Sequence, residues 1–418
     1  MKHAFQLFEN EVVMTVIKNY KQFDGLHYET GTVQNVLSHK GIKAPHTGKP
    51  LSEAMLMGIS GGAAFGYFLF DYKGYDPMLS LISRNTFDPL ETLLTRLGVA
   101  RDVRHFTDAK KAEIGLIETL ARGEPAIVWA DMFSLPHNCV TYTEAWWAML
   151  PLVVFGFENG VVHIADRSRK PIEISASDFN RARARIKKDK FRIMTLDSVD
   201  VGKLKDAAQK GIWQCVSLFT EKPPKGAKTN FGFEAYRHWA SMLTNTRNTQ
   251  SWVRFFAVGS KMWSALVGFG MNPGLIGWIH TWGFGDGFER GAYAEFLDES
   301  AELLKKPKLK NAAKLFRQSR EAWIELGRVA MPDDISSMRE ARELTIKRHD
   351  LFVNEGDVQR DEIMRINSIL RDIKAKAAKE FPMSNQRLVI TREQMSQIVM
   401  KIHDLEYAAV KMMQSTMR

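Results

Sequence analysis

Gly25-Leu-His27-Tyr28-Glu29-Thr30-Gly31-Thr-Val33-Gln-Asn-Val36-Leu37-Ser-His39-Lys-Gly41 reads as a loop that runs into a helix and stops at a glycine. Asp24 and Gly25 are turn residues, Val33, Val36 and Leu37 recur at helical spacing, and Glu29 and Thr30 suit a first helical turn. Tyr28 therefore falls at the positive end of a helix, where the ionised form of a nucleophile is favoured. Cysteine enzymes often place their thiol there; this chain places a phenol.

Upstream, residues 1 to 24 form a lead-in with a helix predicted over Phe8 to Tyr20. Downstream, Ala44 to Pro50 is a turn-rich connector, and Ser52 is the expected N-cap of a helix that buries Met55 and Leu56. Ile59 to Phe70 joins a glycine-rich turn to a strand. The backbone N–H groups of Gly61 and Gly62 suit a bound oxyanion, and close backbone packing is the simpler account because no Gly-Lys-Ser/Thr follows. A helix over Leu90 to Leu97, a strand over Asp102 to Phe106, a helix over Asp108 to Ala121 and a buried strand from Pro125 to Asp131 come next. Loops that leave such strands carry binding residues, which makes Asp131 a candidate. Leu152 to Phe157 and Gly160 to Arg167, joined through Asn159-Gly160, predict a β-hairpin. Ile172 to Ile174, a helix over Ser175 to Arg185 and a strand over Phe191 to Leu196 close a first domain, residues 1–200.

A linker over 201–230 contains the Pro/Gly/Lys stretch Glu221 to Thr229, and an α-helical domain is expected over 231–418. Its helices are predicted over 232–247, 249–269, 288–305, 309–327, 334–354, 356–380 and 391–417. Trp252, Phe255, Phe256, Trp263, Phe269, Trp278 and Trp282 read as core, with an apolar contact surface as the competing reading.

With 418 residues, 45% of them hydrophobic and 25% charged, the chain can bury two cores. No apolar run is long enough for a spanning helix and the first residues lack the apolar core of a signal peptide, so a cytoplasmic protein with no membrane contact is expected. Cys139 and Cys215 cannot form a disulfide framework or a cysteine zinc site, and no metal or cofactor is expected. The net charge of +10 raises the question of nucleic acid. Yet the basic clusters Arg181 to Lys190 and Lys305 to Lys310 lack interleaved aromatics and read as solvated helix faces, so nucleic acid is not expected. An acidic protein partner and a homo-oligomer are both compatible with the sequence.

The order of helix start, hairpin and Asp166 resembles the papain-like fold of bacteriocin-leader peptidases, and more closely the family named after butirosin biosynthesis protein H. The resemblance rests on His27-Tyr28-Glu29-Thr30, Val36-Leu37, Gly41, Ser52-Glu53-Ala54, the Gly58 to Gly66 segment, Asp131 with Leu135-Pro136, Val153 to Phe157 and Val162 to Arg167. Gly283 to Leu297 resembles the helical domain that commonly follows in that family. It implies an α+β fold: a papain-like N-terminal domain and a mainly α-helical C-terminal one.

The resemblance also implies transfer of an acyl group from a carrier-protein thioester to a small-molecule amine. In that pattern a cysteine at the helix start is the nucleophile, a histidine at the start of the first hairpin strand is its base, and an acid past the second strand orients the histidine. Tyr28 stands at the cysteine's position, Leu150 approximately at the histidine's, and Asp166 at the acid's. Two readings follow. In one, an acyltransferase-like protein works with Tyr28, His27 and Asp166 as catalytic groups and Glu29, Gly61, Gly62 and Asp131 as substrate contacts, with His163 as an alternative base. In the other, the fold is a catalytically silent binding or assembly module. His137-x-Cys139 is not a triad by itself.

Overall fold

Short apolar runs separated by turn residues build an antiparallel sheet, and longer amphipathic runs build helices around a hairpin. The computed structural model describes residues 15–140, 144–185, 191–268 and 272–418. Its strands are β1 (Thr15–Val16), β2 (Ala63–Phe70), β3 (Met78–Arg84), β4 (Ala100–Arg104), β5 (Ala126–Asp131), β6 (Met149–Glu158), β7 (Val161–Ala165), β8 (Ile172–Ser175) and β9 (Ile193–Ser198). The first helices are α1 (Thr30–His39), α2 (Glu53–Ile59), α3 (Pro89–Arg96), α4 (Ala109–Ala121), α5 (Ala176–Arg183), α6 (Leu204–Thr220) and α7 (Gly232–Thr244).

The chain forms a mixed α+β fold of two compact units. One gathers the described residues up to Leu51, Gly98–Asp200 and Leu351–Ile363; the other gathers Ser52–Leu97, Val201–Asp350 and Met364–Arg418. Residues 52–97 cluster with the helical unit and 351–363 with the sheet unit. The expected linker over 201–230 holds α6 instead. Leu204, Ala208, Ile212, Cys215 and Phe219 recur at helical spacing there and are all buried.

In the sheet unit the strand order is β4-β9-β5-β6-β7-β8, every pair antiparallel, with β1 alongside β6 at Phe157 and Gly156. Strand β5 is buried along its whole length. It pairs with β6 from Ala126↔Val154 to Asp131↔Met149. The predicted hairpin is β6 and β7, and Asn159 and Gly160 take the left-handed φ values, 50° and 76°, that its tight turn requires. Of the helix expected over Phe8 to Tyr20, Phe8 to Met14 lie outside the described residues, and Thr15–Val16 is a strand. Tyr20 stacks on Phe155 of β6 with ring centroids 4.6 Å apart and meets His39, the last residue of α1, at 5.2 Å. That contact ties the start of the chain to α1 and the sheet. Arg183 departs from the expected solvated face. It is fully buried between the rings of Phe179 and Phe191, and burial pushes its guanidinium down to about 10. Lys187, Lys188 and Lys190 of the same cluster lie outside the described residues.

In the helical unit β2 and β3 form a hairpin, and Ser52 caps α2 by accepting the Met55 N–H at 3.0 Å. Phe65 of β2 stacks on Tyr236 of α7 at 3.7 Å, within a core that includes Trp239, Trp252, Trp263 and Trp323. Trp252, Phe256, Trp263 and Trp278 are thus core residues, while Phe269 lies outside the described residues. The helix expected over 249–269 divides into Trp252–Phe255 and Ser260–Leu266, separated at Gly259 with φ 110°. The segment Gly283 to Arg290 wraps around its own carboxylate. Gly283 stands at φ 61°, where a Cβ would also fall on the Glu289 side chain, so both backbone and space favour glycine; Glu289 is ion-paired with Arg84. Arg290 and Glu406 are fully buried and joined at 2.8 Å. No helix among the described residues is long and apolar enough to cross a membrane.

Candidate functional site

The loop ahead of α1 is fixed by two glycines and an asparagine. Gly25 donates its N–H to Asn35 Oδ1 at 3.0 Å, and Gly31 donates to the His27 carbonyl at 2.8 Å. The Gly25 and Gly31 backbones lie against each other, so a Cβ on Gly31 would stand 2.7 Å from the Gly25 carbonyl carbon. Neither backbone can withdraw like a flexible side chain. Gly31→Ala is therefore expected to cost about 1–3 kcal/mol, against a helix-propensity gain of about 1 kcal/mol. Thermal unfolding followed by circular dichroism checks this, and an unchanged or raised Tm would mean the loop has room.

This loop sets Tyr28 just ahead of α1, with Glu29 at the N-cap position. Thr32 Oγ1 donates to the carbonyls of Tyr28 (3.0 Å) and Glu29 (2.8 Å). His27 is buried, and its ring lies 4.0 Å from that of Tyr28. Adjacent residues at a helix start are expected to point apart; here the turn brings the two rings together. Nδ1 of His27 accepts the Glu29 N–H at 3.2 Å, so its proton sits on Nε2 when the ring is neutral. In that arrangement His27 is a donor and not a base.

Asp166 follows β7 directly. The strand it leaves and the Pro136–Asn138 turn between β5 and β6 bring its carboxylate to His137: Oδ2 lies 2.8 Å from Nε2, with both side chains buried. Arg167 grips the same carboxylate through Nε to Oδ1 (2.7 Å) and Nη2 to Oδ2 (2.9 Å), and donates to Asn138 Oδ1 at 2.6 Å. Burial opposes ionisation of Asp166, but the charge and hydrogen bonds of Arg167, aided by His137, outweigh it and hold the carboxyl well below the usual carboxylate range. Its contribution to stability is thus complete above the ordinary carboxylate range and is lost as pH falls below it. The ionised carboxylate accepts the Nε2 proton of a neutral His137. The lone pair is then on Nδ1, which is buried and has no hydrogen-bond partner among the described residues. Phe352 covers the group, its ring parallel to that of His137 at 6.1 Å and 5.4 Å from the Arg167 guanidinium. Tyr28 is within electrostatic reach of Arg167. One unit of the protein thus gathers Tyr28, His137, Asp166 and Arg167.

Sequence reasoning passed over His137, whose only local signal is its place in Leu135-Pro136-His137-Asn138-Cys139. Leu150 lies in β6 opposite Ala130, and the histidine on Asp166 comes from the preceding turn instead. His163 sits on β7 with Glu158 (3.1 Å) and Glu173 (3.6 Å) as its carboxylate partners. Asp131 is fully buried and organises its own loop: Oδ1 accepts from Ala148 N (2.9 Å) and Phe133 N (3.3 Å), and Oδ2 from Ser134 Oγ (2.6 Å). Gly61 and Gly62 belong to the helical unit, where added Cβ atoms would stand 2.6 Å from Asn85 and Tyr293 side-chain atoms respectively. Close packing accounts for both.

Cys139 ends the histidine turn in a left-handed conformation, φ 51°, and is half-buried with Sγ 3.6 Å from the His137 carbonyl. Cys215 is fully buried, and burial pushes its thiol up to about 12. Iodoacetamide at about pH 8, near an ordinary thiol pKa, is expected to add one group to the native protein, at Cys139, and two after unfolding. Intact-mass spectrometry reads both numbers; labelling of native Cys215 would contradict the packing.

Residues 27–167, about a third of the chain, match the family model described as Butirosin biosynthesis protein H, N-terminal. The matched segment begins at His27 and ends at Arg167, so it encloses the gathered group. No curated protein matches the chain.

Proposed function

We propose that the sheet unit is a variant of the papain-like fold that transfers an acyl group from a carrier-protein thioester to a small-molecule amine, using His137 and Asp166 in place of a cysteine-centred triad. The observation that carries this reading is the His137–Asp166 pair at 2.8 Å, with Nδ1 of His137 buried and without a hydrogen-bond partner among the described residues. His137 Nδ1 takes a proton from the amine as its nitrogen attacks the thioester carbon. The C–S bond then breaks, and the departing thiolate takes that proton back from the imidazolium. Asp166 positions the ring and balances its transient charge. Tyr28, at the positive end of α1, donates its hydroxyl to the oxyanion formed in between. This gives the phenol a task that does not require it to be a nucleophile.

The competing reading is a silent binding or assembly module, favoured by the phenol at the nucleophile position and by the Arg167 clasp on Asp166. Purified protein incubated with acyl-carrier thioesters and a panel of amines separates the two. Transfer predicts release of carrier thiol matched by acylated amine, reduced in Tyr28→Phe and lost in Asp166→Ala. Absence of thiol release, together with recovery of a stoichiometric carrier complex, would establish the binding module instead.

A further inference from the structure

We infer that the segment Leu351–Gln359 is a lid over the His137–Asp166 pair, with Phe352 as the ring that closes it, and that a reactant reaches the pair when this segment lifts. His137 and Asp166 are 3% and 5% exposed, so as they stand neither presents a surface on which a reactant could sit. Something beside them has to move. Among the described residues, the end of β7 is held by ladders to β6 on one side and β8 on the other. The Pro136–Asn138 turn is pinned by Asn138, which donates to the Met132 carbonyl at 3.1 Å and accepts from Arg167 Nη2 at 2.6 Å. The remaining wall is the segment that carries Phe352, whose ring lies parallel to that of His137 at 6.1 Å and 5.4 Å from the Arg167 guanidinium.

The chain gives this segment the freedom that a lid needs. It is the junction of two long helices, Ser336–Glu355 and Arg360–Lys379, and it clusters with the sheet unit although the chain on either side of it clusters with the helical one. It takes part in no strand ladder. Its ties to the stretch after β7 are light: the Arg169 N–H and Ser168 Oγ donate to the Val353 carbonyl at 2.8 and 3.4 Å, and Arg169 Nη1 donates to Asn354 Oδ1 at 2.8 Å in an exposed contact. Val353 is buried, but Val358 is 78% exposed. Segments with few buried apolar contacts and water-exposed hydrogen bonds open ahead of the core. Gly356 seats the segment: it turns at φ 62°, and an added Cβ would stand 3.2 Å from Ser168 Oγ and 3.4 Å from Lys170 Cβ. The closed position therefore depends on glycine at that point.

What the lid admits rests on the proposed acyl transfer; the covering itself does not. In the full chain, diethyl pyrocarbonate followed by peptide mass spectrometry reads the accessibility of each histidine ring. In the natural protein His105, which is exposed, should be modified promptly and His137 slowly. Phe352→Ala should raise the His137 rate about tenfold, the effect of taking one half-buried ring out of the closed state, and leave His105 unchanged. Gly356→Ala keeps Phe352, strains only the seat, and should move the rate in the same direction. Amide hydrogen exchange of the natural protein should show residues 351–359 opening ahead of the middles of the two flanking helices. A folded Phe352→Ala chain whose His137 stays as protected as before would overturn the inference, and so would exchange over 351–359 that is no faster than in those helices. Acyl transfer absent from the natural chain, with His137 uncovered in both variants, would leave the lid standing and count against the transfer reading alone.

Discussion

Arg290→Met is expected to destabilise the helical unit by about 3–5 kcal/mol, the usual cost of breaking a buried ion pair by removing one partner. The site leaves little means of relief. Arg290 and Glu406 are both fully buried, and the guanidinium holds both carboxylate oxygens, at 2.8 and 3.1 Å. It also donates to the carbonyls of Ser83 (2.6 Å) and Ala64 (2.7 Å), tying both strands of the β2–β3 hairpin to the helix Arg290–Leu303. Removing it leaves Glu406 with neutral donors alone, Tyr236 Oη at 2.8 Å and Ser319 Oγ at 2.6 Å. Those donors cannot offset an unpaired buried charge, so the carboxyl must either stay ionised at high cost or take up a proton. Urea unfolding of the helical signal measures the loss. Adding Glu406→Leu should recover part of it, because the buried charge then disappears as well. The exposed pair Lys401–Glu325, with side chains 55% and 48% accessible, is the comparison; breaking it should cost less than about 1 kcal/mol. Equal losses at the two sites would mean that burial does not set the energetics of the Arg290 network.

His137→Asn is expected to lower kcat/KM for acyl transfer by about 10²–10⁴-fold, the range of a lost general base. Asparagine can still offer an amide N–H to Asp166, so the carboxylate keeps a partner and the turn keeps its shape. What disappears is the Nδ1 lone pair. Far-UV circular dichroism and the unfolding midpoint should therefore stay near those of the natural chain while turnover falls. Asp166→Asn tests the same arrangement from the other side. An amide presents an N–H as readily as an oxygen, which allows His137 to carry its proton on Nδ1, the wrong nitrogen for accepting one from the amine. Thiol release that is insensitive to His137→Asn would remove His137 from the mechanism.

Several parts of the site were legible because they depend on neighbours in sequence. Tyr28 ahead of α1 follows from apolar spacing and turn residues, and Asp166 past a hairpin follows from alternation around Asn159-Gly160. The cap at Ser52 was equally local: its side chain accepts an N–H three residues on. His137 was different. Its partner lies 29 residues away and reaches it only because the end of β7 and the β5–β6 turn meet across the sheet. The rings of His27 and Tyr28 likewise meet because Gly25 and Gly31 close the loop on itself, a contact of two backbones that no residue preference announces.

By itself, the sequence determined a mixed α+β chain, the α1 start, the β6–β7 hairpin and the acid that follows it. Periodicity and turn chemistry act over a few residues, and those features need nothing more. The tertiary structure decided that residues 52–97 cluster with the helices, that Arg183 turns inward between two phenylalanines, and that Arg290 finds Glu406 across 116 positions. It also decided which histidine Asp166 holds. A buried charge must find a partner wherever the packed chain supplies one, and that choice is made by the assembled core and not by sequence spacing.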